Sequence, residues 1–231
     1  MILTGADGKE VWRTARAEIP AWGTPAIVPG KDRVEVVTNA TKAIRGYDAD
    51  TGKELWTLSP NSEVTCTTPV SGHGLIFVTA GYPPVRPIYA IKQGSNGDLT
   101  LKSGKDSSDA IAWSKTTGGV YLPSPIIYGD QLYLVNNNGV LATYEAKTGT
   151  RIYEQRVGAG GSFVASPIAA AGRLYITSED GDVYIVRAGP KYVLLAQNTV
   201  GEPVLATPAL AGDLLIVRGA KHLFAIGEPA K

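Results

Sequence analysis

Residues 47–56 read YDADTGKELW, and two other stretches follow the same plan: Asp7-Gly8-Lys9-Glu10-Val11-Trp12 and Lys147-Thr148-Gly149-Thr150-Arg151-Ile152-Tyr153. In all three an aromatic residue lies four positions after the glycine. A D-G or T-G turn needs a positive φ that glycine adopts without strain, so each stretch predicts a hairpin of two short strands. Upstream of these hairpins a Thr/Ser-Pro pair recurs at Thr24-Pro25, Thr68-Pro69, Ser124-Pro125, Ser166-Pro167 and Thr207-Pro208, with proline-to-proline steps of 44, 56, 42 and 41 residues. After each pair from the second onward comes a glycine and an alternating run: LIFVT, QLYLV, RLYIT and LLIVR. A second alternating run follows as IYAIK, LATYEA, VYIVR and HLFAIG.

Every segment alternates with a period of two, and none holds a 3.6-residue pattern beyond one turn. The chain is therefore all-β, with about four strands per repeat of ~40–45 residues, which is the size of one β-propeller blade. A two-layer sandwich would alternate equally well but gives no reason for a fivefold recurrence of the same Pro, Gly and aromatic signals. The expected architecture is a single propeller domain over 1–231 built of four-stranded antiparallel blades. Four complete blades span about 22–59, 66–117, 122–158 and 164–201, and a split fifth joins 205–227 to 2–16. Trp12, Trp56, Trp113 and Tyr153 are the expected blade aromatics, wedged between neighbouring sheets. The third-strand pattern occurs at both 2–6 and 222–226, so simple closure gives the split blade one strand too many. The competing expectation is a piece of a seven- or eight-bladed propeller. Blade two is longer than the others through Gln93–Ser108, whose Gly, Ser, Asn and Asp predict an exposed, mobile hairpin extension.

Composition excludes several classes. With 22 Lys+Arg against 21 Asp+Glu the net charge is +1, too weak a field to hold nucleic acid or anionic lipid by itself. No apolar run approaches the ~20 residues of a transmembrane helix. The first twelve residues, MILTGADGKEVW, hold no basic leader or apolar h-region, so they do not read as a signal peptide. Cys66 is a single cysteine and forms no disulfide framework, and His73 and His222 are too few for a His-rich metal site. No acid or serine is spaced to His73 in a recognisable motif, and His222 begins a strand near Lys221, which argues for a solvated position, so neither reads as a catalyst. Gly158-Ala159-Gly160-Gly161 lacks a glycine at the sixth position, where Phe163 stands, and reads as a linker and not a dinucleotide loop. Asn39-Ala40-Thr41 fits a glycosylation sequon but reads as a plain turn, and Glu179-Asp180-Gly181-Asp182 reads as a hairpin turn before a cation site.

The unit at 205–226, LATPALAGDLLIVRGAKHLFAI, together with YDADTGKELW, resembles the pyrroloquinoline-quinone-like propeller repeat over essentially the whole chain. Quinoprotein dehydrogenases of that superfamily use a vicinal Cys–Cys pair, a Ca²⁺ held by Glu and Asn, and a channel Asp. One cysteine cannot make the vicinal pair, and the chain is too short for the eight blades those enzymes usually have. The resemblance therefore points to the non-enzymatic branch, which includes the lipoprotein of outer-membrane β-barrel assembly and sensor domains attached to kinases. It implies no catalytic residue, no metal and no cofactor. It also implies a protein partner as the principal ligand and a periplasmic or extracellular place for the parent protein. The alternatives are a quinoprotein-type or other enzyme binding a small molecule in the central channel, and a sensor module of a larger protein. The expected recognition face combines loops joining blades with loops between second and third strands. It collects Trp22, Tyr82, Arg86, Tyr121, Asn137, Phe163, Asp180 and Arg218, with Asn136 and Glu179 beside them. Tyr82-Pro83-Pro84-Val85-Arg86-Pro87 is its strongest piece, because three prolines stiffen the loop that presents Tyr82 and Arg86.

Overall fold

The structure, a computed structural model, describes residues 1–227 and resolves into two compact units, Met1–Gly119 and Val120–Lys231. Among the described residues there are strands and no helix. The chain has a β-propeller fold of four-stranded antiparallel sheets, as the period-two repeats predict.

In the first unit, β1 (Ile2–Leu3) and β2 (Glu10–Trp12) form a two-stranded ribbon. Next come β3 (Ala26–Pro29), β4 (Val34–Thr38), β5 (Ile44–Asp48) and β6 (Glu54–Leu58), paired antiparallel in that order. The second full sheet holds β7 (Val70–Gly72), β8 (Leu75–Thr79), β9 (Ile88–Lys92) and β11 (Ile111–Lys115). Its LIFVT strand is buried along its whole length, so both faces are covered and alternation in sequence becomes continuous burial. Trp56, Val37 and Ile44 of the first sheet share one core cluster with Ile76, Val78 and Ile91 of the second. Trp56 lies fully buried over Gly46, where any side chain would collide with the indole, and its Nε1 donates to Glu35 Oε2 at 2.8 Å. Trp12 packs over Gly52 and donates to the Ala49 carbonyl at 2.8 Å, joining the ribbon to the turn of YDADTGKELW.

The Gln93–Ser108 extension is not the free hairpin expected from its composition. Its β10 (Gly97–Asp98) adds in parallel to β6, opposite Trp56 and Thr57, and makes a fifth strand of the first sheet. Leu99 follows into the core at 5% exposure, and its amide donates to the Thr57 carbonyl at 2.8 Å. Arg33 donates to Glu35 at 3.0 Å, to the Ser95 carbonyl at 2.7 Å and to Asn96 Oδ1 at 2.9 Å. A buried carboxylate with paired donors on a neighbouring element fixes the segment, which a polar composition alone does not reveal.

The second unit repeats the pattern. One sheet holds β12 (Ile126–Tyr128), β13 (Gln131–Val135), β14 (Val140–Glu145) and β15 (Arg151–Arg156). Another holds β16 (Ile168–Ala170), β17 (Arg173–Thr177), β18 (Asp182–Arg187) and β19 (Leu194–Thr199). A three-stranded sheet follows with β20 (Ala209–Ala211), β21 (Leu214–Arg218) and β22 (Leu223–Ile226). Tyr133, Leu141, Phe163, Leu174 and Tyr184 belong to one buried cluster between the first two of these sheets. Tyr153 meets Tyr192 edge-on, with ring centroids 6.1 Å apart. Burial pushes the Tyr133 phenol up to about 12, and its oxygen accepts from the Gly189 amide at 2.8 Å.

Candidate functional site

Loops between second and third strands meet the linkers that lead into the next sheet. In the first unit the meeting point is Asn39, at the end of β4 and only 2% exposed. Its Nδ2 donates to the carbonyls of Thr67 and Thr79 at 3.0 and 2.9 Å, and its Oδ1 accepts from Asn61 at 2.8 Å. Thr65 Oγ1 donates to the Asn39 carbonyl at 3.0 Å. Asn61 also donates to the Ala40 carbonyl, and the Tyr89 hydroxyl donates to Pro60, each at 2.8 Å. Burial pushes the Tyr89 phenol up to about 12. The linker from Pro60 to Thr67 is thus clamped by a buried hydrogen-bond network. Asn39 is a structural tie and not a glycan acceptor, because its amide is enclosed and fully used.

That clamped linker carries the exposed residues of the site. The Trp22 amide donates to the Thr65 carbonyl at 2.8 Å, leaving an indole that is 64% exposed. The Ser62 hydroxyl donates to the Tyr82 carbonyl at 2.7 Å, and the Tyr82 ring is 40% exposed. Arg86 is exposed, and its carbonyl accepts from Gly119 at 3.0 Å. Two aromatics and a guanidinium are therefore exposed on backbone that hydrogen bonds hold in place. Large rings on a fixed backbone lose little conformational entropy on binding, which suits them to recognition.

In the second unit the expected residues divide. Asn137 is half-buried; its Nδ2 donates to the Phe163 carbonyl at 3.1 Å, its Oδ1 accepts from the Leu122 amide at 3.4 Å, and its carbonyl accepts from the Phe163 amide at 2.9 Å. Phe163 does not belong to a recognition surface. Its ring is fully buried beneath Gly139 and 6.0 Å from the Tyr184 ring, where apolar burial outweighs any role in solvent. Tyr121 is half-buried, and Asp180 and Arg218 are exposed. Arg218 lines a shallow concavity with Pro203, Leu205 and Ala206. In the turn Glu179-Asp180-Gly181-Asp182 the carboxylates serve different neighbours: Ser162 donates to Glu179 at 2.5 Å, and Tyr184 and Gln197 donate to Asp182, each at 3.2 Å. Gly181 holds a positive φ of 93°, as the hairpin reading requires.

Asn39 was not legible as the organiser of this surface. The visible signal was an Asn ending the second alternating strand, a position where the other sheets carry Ala80, Asn136, Ser178 and Gly219.

The family described as outer membrane protein assembly factor BamB matches residues 2–99 and 100–189. The BamB of Shewanella oneidensis is 25% identical over 164 residues, which cover 67% of this chain and 38% of that protein. The chain thus spans well under half the length of that relative. The crystal structure of BamB from Moraxella catarrhalis superposes with a TM-score of 0.64 at 14% identity, covering 89% of this chain and 57% of that one, and it shows the shared fold. A europium-containing methanol dehydrogenase reaches a TM-score of 0.43 at 13% identity, covering 57% of this chain and 24% of that one, too low to carry an argument about chemistry.

Proposed function

The chain belongs to the outer membrane protein assembly factor BamB family, and from that premise we propose that it is a non-catalytic scaffold that binds a protein partner in outer membrane protein assembly, outside the cytoplasm. The observation that carries this reading is the pair of exposed aromatics, Trp22 and Tyr82, anchored to one linker that the buried Asn39 network holds in place. Arg86 adds a planar cation at the other end of the three-proline loop. Aromatics and arginine with a polar surround are the side chains that dominate protein interfaces, and a prearranged loop keeps the ordering cost of binding low.

The test replaces Tyr82 with a photo-crosslinking amino acid in cells that produce the parent protein, with and without Trp22→Ala and Arg86→Ala. The expected result is a discrete crosslink to an envelope protein that drops at least tenfold when both flanking side chains are removed, in keeping with the loss of about 1.4 kcal/mol or more of interface energy. Crosslinking that is absent, or that is indifferent to both substitutions, would remove the loop surface from the function.

A further inference from the structure

The outer strand of each complete sheet has the same construction. In β6, β11, β15 and β19 one extra residue bulges out of the ladder: Leu55, Ala112, Ile152 and Leu195. The four strands differ in how their outer edge is finished. Immediately after the β6 bulge, Trp56 and Thr57 accept β10 as an added parallel strand, so the bulge itself does not prevent strand addition. The same extension returns over β11: the Ser108 amide donates to the Ile111 carbonyl, and Ser114 Oγ donates to the Asp106 carbonyl, both at 2.9 Å. Outer strand β15 carries Arg151, Glu154 and Arg156, the charged side chains that blunt an open edge. Strand β19, LLAQNT, has neither defence. It contains no charged residue and, among the described residues, pairs with β18 alone. Leu194 and Leu195 are each 41% exposed, and Gln197, Asn198 and Thr199 are exposed as well. Ala196 stands where the other outer strands carry Trp56, Trp113 and Tyr153, so the residue nearest the edge after the bulge is also the least bulky.

We propose that β19 is a strand-addition site that takes an extended, uncharged segment of a partner protein. An open row of backbone N–H and C=O groups is complementary to another extended backbone, which identifies the occupant's chemistry. The β6–β10 pair shows in this same fold the register such an occupant adopts: the segment runs beside Ala196 and Gln197, the counterparts of Trp56 and Thr57, and a following apolar side chain turns inward as Leu99 does. Uncharged polar and apolar residues in alternation satisfy the flanking leucines without placing a charge against them. This site is separate from the loop surface around Trp22 and does not depend on it.

The experiment uses the full 231-residue chain and one probe, a capped peptide of alternating valine and threonine with a lysine at each end. Amide hydrogen exchange is read residue by residue by NMR, with and without the peptide at millimolar concentration. The expected result is exchange slowed by about tenfold or more at Leu194–Thr199, and not at Leu223–Ile226 of the three-stranded sheet. A Leu195→Lys/Gln197→Lys variant, which gives β19 the charges that β15 carries, should abolish the slowing. Its substituted side chains are solvent-facing, and unchanged exchange at Leu174 and Ile176 would confirm that its sheet remains intact. Failure to slow exchange in β19, slowing confined to Leu223–Ile226, or undiminished slowing in the double variant would each overturn the proposal.

Discussion

Sheets β3–β6 and β16–β19 share strand order, register and outer bulge, yet their outer strands are finished in opposite ways. The first buries Trp56 over Gly46, ties its indole to Glu35, and receives β10 along its edge. The second has Ala196 at the matching position and leaves two leucines half in solvent. The same backbone can therefore be sealed or open, and the choice rests on one side chain and one insertion. Repetition fixes where strands go, and departures from it fix what the surface can do.

Predictions that break this contrast can be ordered by size. Trp56→Ala makes the sealed sheet resemble the open one and should cost ~3–5 kcal/mol, because a fully buried indole and the partner of the buried Glu35 are lost together. Chemical denaturation reads it; a cost below about 1 kcal/mol would mean that the indole is not the anchor of the first sheet. Leu99→Ala should cost about 2–3 kcal/mol, most of it in local opening of the extension. Limited trypsin digestion should then cut at Lys102 and Lys105 before any other site, whereas an unchanged digestion pattern would show that β10 holds without its apolar anchor. Asn39→Ala removes one donor from each of the Thr67 and Thr79 carbonyls, with an expected cost of about 1–3 kcal/mol. The loop surface should loosen with it, seen as faster exchange at the Trp22 amide.

A further effect lies on the alkaline side and treats both units alike. Tyr89 and Tyr133 have phenols raised to about 12 by burial, against an ordinary value of 10.0. The folded chain then holds protons that the unfolded chain releases, so their contribution is complete below pH 10 and is lost as pH rises toward 12. Stability measured by denaturant across that window should fall, and Tyr89→Phe should make the fall shallower. A slope unaffected by the substitution would remove Tyr89 from the effect.

Much of the fold was legible because its signals are local. The T-G and D-G turns, the Pro at each repeat and the alternating runs each constrain only a few neighbouring residues. Trp12 and Trp56 could be singled out for the same reason, since each sits at a fixed distance from a turn glycine. Phe163 was misleading: an aromatic in a Gly-rich linker reads as exposed, but a linker crossing between sheets must bury something, and here it buries the ring. The Gln93–Ser108 extension misled for the converse reason. Its polar composition hides one leucine, and the groups that receive it, Arg33, Glu35 and Thr57, lie some forty to sixty residues earlier in the chain.

The sequence by itself determined an all-β repeat, its strand periodicity and its turn positions, because each follows from short-range backbone preference and alternation; the superfamily showed only as a resemblance in motifs such as YDADTGKELW. Only the tertiary structure decided which polar residues are buried, which loops are clamped and which edges are covered. Those outcomes depend on long-range pairing: a donor such as Asn39 or an acceptor such as Glu35 acquires its role from carbonyls and amides distant in sequence, and satisfying buried polar groups is a property of the assembled fold and not of any one strand.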